Sequence, residues 1–500
     1  MEKKEIELTR EIIEEVVRKE GLSRREALKL MGLGGAAAMM GGATGAEAAT
    51  EARASSSAKG RILIVGGGLA GMSTAARLVR HLDNPDITVI EPGDRSTTYQ
   101  PGLTLIGGYT WTDKDIVYRT DDFVPAGVKL IKDKVVEFDP KANKVKTAGG
   151  KTVEYDFMVI ATGLVLDFGR IKGLEEVGEL YTAGHNEKAA QIFGDSGASS
   201  IYFIDGAMKV KENLHKFIEA AKSGKKVQGV YTHPNTPIKC GGAPKKIMFL
   251  TDSNLRNAGA RQNAELTFYP NGSKMFGVPE YNKAIFKLFE EKDMKYKFAH
   301  NLVEVDLAGK KAVFDHHWKE KGAWDPDLEE YEEVVKHERV EVPFDFLHIT
   351  PPMKAPDEIA KSPVGSSKGW VPVDYRNGTL QHIKYKNIFA LGDVAALPLG
   401  KTGGSARKQY KVVVDNLIAV MEGKEPTAKY NGYTVCPLIT EIGKVMLAEF
   451  AWADPAHGKF NGKVAPSMPL RPDEPHWAYW LLKVYLLKPM TQYGMLKGLA

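Results

Sequence analysis

The chain reads as an α/β protein built around parallel sheets, and three segments carry that reading. The first is Arg61-Ile62-Leu63-Ile64-Val65, a short β-branched run that passes straight into Gly66-Gly67-Gly68-Leu69-Ala70-Gly71. The second is Tyr155-Asp156-Phe157-Met158-Val159-Ile160-Ala161-Thr162-Gly163, and the third is Asn387-Ile388-Phe389-Ala390-Leu391-Gly392-Asp393. Each is an apolar run of strand length that ends in small residues. That is the pattern of a buried parallel strand whose C-terminal end faces a ligand.

The first segment matches G-x-G-x-x-G and opens a helix predicted over Met72–Leu82, followed by a strand over Ile87–Ile90. Gly66 permits the tight turn, Gly68 lets the backbone approach a pyrophosphate, and Gly71 lets the helix pack close to the strand. The helix N-terminus adds free N–H groups and a positive dipole end. Glu91 stands 20 residues after Gly71, where an acid bonds ribose hydroxyls. These spacings predict a bound dinucleotide. The later pieces, Ala161, Thr162, Gly163, Gly392 and Asp393, follow in chain order. The layout resembles the two-dinucleotide-domain flavoproteins. That resemblance implies FAD, with Asp393 on the ribityl chain and the following helix aimed at the isoalloxazine.

The expected architecture is two Rossmann-like dinucleotide-binding domains, the FAD domain split in sequence, plus C-terminal amphipathic helices that face a membrane. The FAD domain is assigned residues 60–180 and 370–435, and the second domain 181–369. Residues 1–59 are assigned to a signal and linker, and 436–500 to the C-terminal segment. In the second domain the strand is predicted over Lys246-Ile247-Met248-Phe249-Leu250, continuing into Thr251-Asp252-Ser253-Asn254 without glycines. Side chains there hinder close approach of a pyrophosphate, so the domain is expected to keep the fold without binding NAD(P)H. This argues against a type II NADH dehydrogenase.

Composition narrows the rest. The chain has 500 residues, a formal net charge of +5 and no like-charge block long enough for a nucleic-acid arm. It holds only two cysteines, which excludes a disulfide-rich scaffold and any four-cysteine zinc or iron–sulfur site. No metal site is expected. No apolar run reaches the roughly 18 residues of a membrane-spanning helix, so any membrane contact is peripheral.

At the N-terminus, Ser23-Arg24-Arg25-Glu26-Ala27-Leu28-Lys29 resembles a twin-arginine export signal. A Gly/Ala-rich run from Leu30 to about Thr44 and the A-x-A pattern Ala46-Glu47-Ala48 follow in order. The chain is therefore expected at the periplasmic face of the cytoplasmic membrane. The alternative is an amphipathic helix and a linker, since Ile6, Ile12, Ile13, Val16 and Val17 have rough helical spacing. Thr50 to Gly60, with Ser55-Ser56-Ser57, reads as a linker.

Cys240 sits in Lys239-Cys240-Gly241-Gly242-Ala243-Pro244-Lys245-Lys246, and Cys436 in Gly432-Tyr433-Thr434-Val435-Cys436-Pro437-Leu438. Leu447-Ala448-Glu449-Phe450 follows. From about Gly60 to the C-terminus the sequence resembles the sulfide:quinone oxidoreductases. The resemblance implies a redox pair, Cys240 and Cys436, on the re face of the flavin and bridged through sulfur. On that resemblance hydrogen sulfide would attack the oxidised pair, Cys240 would hold the growing sulfane chain, Cys436 would contact the flavin, and the electrons would pass to a membrane quinone. Lys401 would lie beside the flavin N1/O2 edge and stabilise its reduced anion.

Read without the resemblance, the cysteines also fit a structural disulfide or unrelated buried thiols. Lys239, Lys245 and Lys246 fit either a charged environment for Cys240 or a solvated face, and Lys401 fits a surface loop. Tyr99-Gln100-Pro101-Gly102 occupies the loop where flavocytochrome c sulfide dehydrogenases carry their flavin-linking cysteine, so FAD is expected to be noncovalent. That family, which passes electrons to a haem partner, is the competing reading. His233 and His348 are candidates for proton handling at the quinone or sulfide side, and are taken as structural or surface histidines. The Trp477–Met490 run, with Tyr493, Met495 and Leu496, mixes aromatics, Leu and Lys. It suits an interfacial helix on a lipid surface, or a helix packed in the core or between copies of the chain.

Overall fold

The computed structural model describes residues 14–15, 18–21, 56–93, 95–97, 100–181, 184–325 and 330–500. The arginine pair, the A-x-A pattern, Tyr99 and most of the linker lie outside them. The chain forms two compact units. One comprises Met1–Gln100, Lys114–Leu164 and Ala355–Ala500; the other comprises Pro101–Asp113 and Val165–Lys354.

The first unit is built on a parallel sheet of five strands. Their order is Ile388–Ala390, Phe157–Ile160, Arg61–Val65, Asp86–Ile90 and Lys129–Ile131. The predicted glycine-turn strand is central because its side chains are buried on both faces: Ile62, Leu63, Ile64 and Val65 are each at most 3% exposed. The helix after the glycines spans Leu69–His81. It packs against Gly403–Met421, the helix that follows the third segment. An antiparallel sheet of Thr434–Glu441, Lys444–Asp454 and Lys459–Val464 occupies the start of the region assigned to a C-terminal membrane segment.

The second unit repeats the plan. Its parallel sheet runs Ala198–Ser199, Phe346–His348, Val227–His233, Ala264–Pro270, Lys295–Tyr296. The expected boundaries at 180 and 369 lie later than the observed ones. Val165–Asp167 pairs antiparallel with Glu179–Leu180 and with Met353–Lys354, which ties both crossings to this unit.

One element is corrected. Lys246–Leu250 is not a strand but lies inside the helix Ala243–Asn257. The strand in the central position is Val227–His233. A short apolar run does not by itself distinguish a strand from a buried helix. Here all of Ala243 to Ser253 is buried, polar residues included, so this part of the helix lacks the solvent-exposed face that would have marked its period.

The C-terminus is a chain of short helical pieces. Trp477–Leu481 is α-helical, Leu482–Leu486 and Met490–Gly494 are π-helical, and Met495–Lys497 is a single tight turn. Pro489 lies between the π-helical pieces and cannot donate to a helical ladder. No helix among the described residues is long and apolar enough to cross a membrane.

Candidate functional site

In the first unit the glycine turn is shaped by contact. Gly66 has φ +103°, and a Cβ there would lie 2.5 Å from the Ala161 carbonyl oxygen. A Cβ on Gly71 would lie 1.8 Å from the Gly66 oxygen, so only glycine lets the helix approach. A Cβ on Gly68 would meet nothing within 4 Å, which leaves open space in front of the helix N-terminus. Glu91 accepts hydrogen bonds from Gly67 N at 2.7 Å and Gly93 N at 2.9 Å. Burial raises its carboxyl above the usual range, and the two N–H groups partly offset that.

The second and third segments arrive at the same sheet edge. Ala161 N donates to Val65 O at 2.8 Å, and Leu391 N to Ile160 O at 3.2 Å. Thr162 Oγ1 is buried without a hydrogen-bond partner, and Gly163 and Gly392 take φ of +70° and +73°. Gly392 N donates to Gln409 Oε1 at 2.8 Å. Asp393 lies in the turn Gly392–Val394, ahead of the helix Gly403–Met421, which is capped by Thr402, whose side chain accepts from Ser405 N at 3.1 Å. Lys401 is not a surface lysine. Its Nζ donates to the carbonyls of Asp393 and Ala395 and sits 3.8 Å from the centroid of the Trp370 ring. Burial pushes it down to about 8, against the pull of Asp393. The glycine cradle, the open space at Gly68 and the orphaned Thr162 hydroxyl fit a bound dinucleotide.

The structure puts Cys240 where sequence reasoning did not look: in the strand–helix turn of the second unit. That turn runs from Pro234 to Gly242, between Val227–His233 and Ala243–Asn257. It is the topological counterpart of the Gly66–Gly68 turn. Cys240 has φ +52°, a conformation that non-glycine residues seldom adopt, and its carbonyl accepts from Ala243 N at 2.7 Å. Lys246 Nζ lies 3.2 Å from Cys240 Sγ. The three neighbouring lysines do not form a solvated face: Lys239, Lys245 and Lys246 are 3%, 2% and 0% exposed. Lys245 donates to Gly241 O and lies over the Phe268 ring. A helix N-terminus and a buried ammonium both favour thiolate.

Cys436 lies in the strand Thr434–Glu441 of the first unit, opposite Ala448, and is buried. Its strand starts against the first turn of Gly403–Met421, where Ser405 Oγ donates to Thr434 Oγ1 at 3.2 Å. Lys483 Nζ donates to Pro437 O at 3.0 Å and is fully buried. Sequence reasoning missed Lys483, which looks like one more snorkelling lysine in the C-terminal run. Its only sequence signal is the flanking Leu482 and Val484, both of which are buried. Tyr433, two residues before Val435, donates to the buried Glu449, which also accepts from Ser467 N.

His233 Nδ1 lies 3.1 Å from Pro234 O, and His348 Nε2 accepts from Ile201 N at 3.3 Å. Burial lowers His233 to about 4, with Lys245 adding to the effect, and lowers His348 to about 3. The segment read as a loop at Gln100 starts a helix, Gln100–Gly108. Of the C-terminal aromatics, Tyr479 and Trp480 face inward, whereas Tyr485 and Tyr493 are each 61% exposed.

Residues 60–194 match the family profile Pyridine nucleotide-disulphide oxidoreductase. The chain is 36% identical over 440 residues to the mitochondrial sulfide:quinone oxidoreductase of Dictyostelium discoideum, covering 88% of this chain and 86% of that protein. The chain belongs to the sulfide:quinone oxidoreductase family. The mouse (Mus musculus) mitochondrial member is 35% identical over 391 residues, covering 78% of this chain and 77% of its own length. The solved sulfide:quinone oxidoreductase of Aquifex aeolicus shares the fold at a TM-score of 0.66 and 19% identity, over 88% of this chain and 92% of that one. As in the sulfide:quinone oxidoreductase family generally, the cofactor is FAD.

Proposed function

We propose that this chain oxidises hydrogen sulfide to sulfane sulfur and reduces quinone, with Cys240 and Cys436 as its redox pair. The observation that carries the chemistry is the Lys246 ammonium 3.2 Å from Cys240 Sγ, at the N-terminal end of a buried helix. In a chain of this family, that environment suits a thiolate that handles sulfur. The FAD would be held by Gly66, Gly68, Gly71, Glu91, Ala161, Thr162, Gly163, Gly392, Asp393 and Lys401.

HS⁻ attacks the oxidised pair at Cys240, which is partly exposed where Cys436 is buried. Cys240 keeps the sulfur as a persulfide, and Cys436 is released as a thiolate. Lys246 holds the charge that builds on the Cys240 sulfur, and Lys483 supplies a second buried cation one residue from Cys436. When bound, FAD takes up two electrons and delivers them to quinone. Lys401, already lowered by burial, gains a reason to stay protonated when negative charge arrives beside it. Further sulfide would extend the chain on Cys240 only after the two cysteines are rejoined through that chain, a step that releases two electrons for bound FAD to pass to quinone; each added sulfur thus accompanies one quinone reduced.

The C-terminal segment supports a peripheral membrane contact. It is tied to the unit at its start by the pairing of Val445 with His476 and at its end by Gly498 against Arg77. Tyr485 and Tyr493 project between these anchors. The twin-arginine pattern supports export to the periplasmic face. Homo-oligomerisation is compatible with this reading.

The test is acceptor choice. Purified protein turning over sulfide should reduce decylubiquinone and leave cytochrome c untouched. Turnover with cytochrome c alone would return the flavocytochrome reading.

A further inference from the structure

Lys19 and Glu20, a few residues ahead of the arginine pair, contact the C-terminal segment, and nothing in the sulfide chemistry uses that contact. Residues 18–20 are helical. The Glu20 carboxylate lies 2.9 Å from His476 Nδ1 and accepts from Ala478 N at 3.0 Å. Its side chain is 9% exposed and that of His476 13%. Lys19 Nζ stands 4.5 Å from the centroid of the Trp477 ring and also pairs with Glu15 at 2.9 Å.

Three successive residues, His476, Trp477 and Ala478, are thus gripped where the C-terminal segment begins. Ala478 N lies in the first turn of Trp477–Leu481, where a backbone N–H has no partner within its own helix. His476 is also fixed from the other side: its Nε2 lies 3.0 Å from Arg471 O, and it pairs with Val445 in the antiparallel sheet. A carboxylate this well enclosed costs desolvation, which its partners must offset. The contact is therefore a specific one rather than the loose lie of a chain end.

We propose that the segment preceding the arginine pair is an intramolecular clasp that restrains the aromatic C-terminal segment from binding membrane until the N-terminal segment is removed. The proposal rests on the membrane reading given above and deepens it. A protein that folds before it meets its membrane carries its interfacial residues through an aqueous phase, where exposed Trp, Tyr and Leu invite the wrong lipid surface or association with other copies. The contact sets Lys19 against the Trp477 ring and fixes the first turn of the segment that presents Tyr485 and Tyr493. Cleavage at the A-x-A pattern Ala46–Ala48 would detach Glu20 and Lys19 together.

The test compares full-length, FAD-loaded wild type with Glu20→Ala. Two readouts are taken: tryptic cleavage after Arg18 and Lys19, and flotation with phosphatidylcholine/phosphatidylglycerol vesicles. In Glu20→Ala both cleavage rate and vesicle-bound fraction should rise by about threefold or more, the scale of one partly buried hydrogen-bonded contact. An unchanged cleavage rate overturns the clasp. Faster cleavage without greater vesicle capture also overturns it, because the contact is then structural only. A third protein, Glu20→Ala with Tyr485→Asp and Tyr493→Asp, separates the two ideas. If capture is the same in wild type and Glu20→Ala but drops in this protein, the clasp is wrong and the membrane reading stands. If capture persists in it, the membrane reading of the C-terminal segment fails and the clasp with it.

Discussion

The two units use one strand–turn–helix position for different purposes. In the first, the turn is Gly66-Gly67-Gly68, tight enough that the following helix starts at Leu69. In the second, the turn runs from Pro234 to Gly242 and carries Cys240 beside Lys246. Both turns bring a helix N-terminus to the C-terminal end of a central parallel strand, where ligands bind in such sheets. The first leaves room for phosphate; the second carries a cysteine just ahead of its helix. The dipole that favours a pyrophosphate also favours a thiolate. On the function proposed above, a dinucleotide site becomes a redox site by lengthening one turn and placing a cysteine in it.

The largest expected effect breaks the first turn. Gly71→Val drives side-chain atoms into the Gly66 carbonyl, since even a Cβ would lie 1.8 Å from it. The purified variant should retain less than about a tenth of its FAD, read from flavin absorbance per chain. Normal FAD content would mean that close helix approach does not hold the cofactor.

The second effect sharpens the other turn. Lys246→Met should keep FAD yet slow flavin reduction by sulfide about a hundredfold, and move its pH profile upward as the thiolate becomes harder to form. Lys246→Arg should recover part of the rate. A fall in rate with an unmoved pH profile would make Lys246 structural.

A smaller effect concerns Lys401, which burial lowers to about 8. Below that pH both folded and unfolded apoprotein carry the proton. Between about 8 and the ordinary lysine range near ~10.4, the unfolded chain still binds it and the folded chain does not, so stability rises with pH. Urea denaturation of apoprotein across this window should show that rise in wild type and lose it in Lys401→Met. Parallel curves would contradict the assigned burial.

The smallest effect is Gly241→Ala. A Cβ there would meet nothing within 4 Å, so FAD content and the denaturation midpoint should stay near wild type, within about 0.5 kcal/mol. A large loss would show that the second turn is as tightly fitted as the first.

Much of the first unit is legible in the sequence because its constraints are local. Gly66, Gly68, Gly71 and Glu91 announce themselves by spacing within one strand–turn–helix–strand run. The second unit is less legible. Its central strand, Val227–His233, is interrupted by Gly229 and followed by a long turn, while the buried helix Ala243–Asn257 offers an apolar run that mimics a strand. The burial of Lys239, Lys245 and Lys246 cannot be read from composition, since lysine is ordinarily exposed. Lys483 and Glu20 owe their positions to contacts across more than forty residues of chain, which no local window contains.

The central claim is that sulfide reaches the flavin only through the cysteine pair. The most direct test is anaerobic single-turnover reduction by sulfide, followed through the flavin absorbance band, in wild type and Cys436→Ser. The account predicts stoichiometric bleaching of wild type and a FAD-loaded variant whose band stays unbleached. Equal bleaching in both would contradict it.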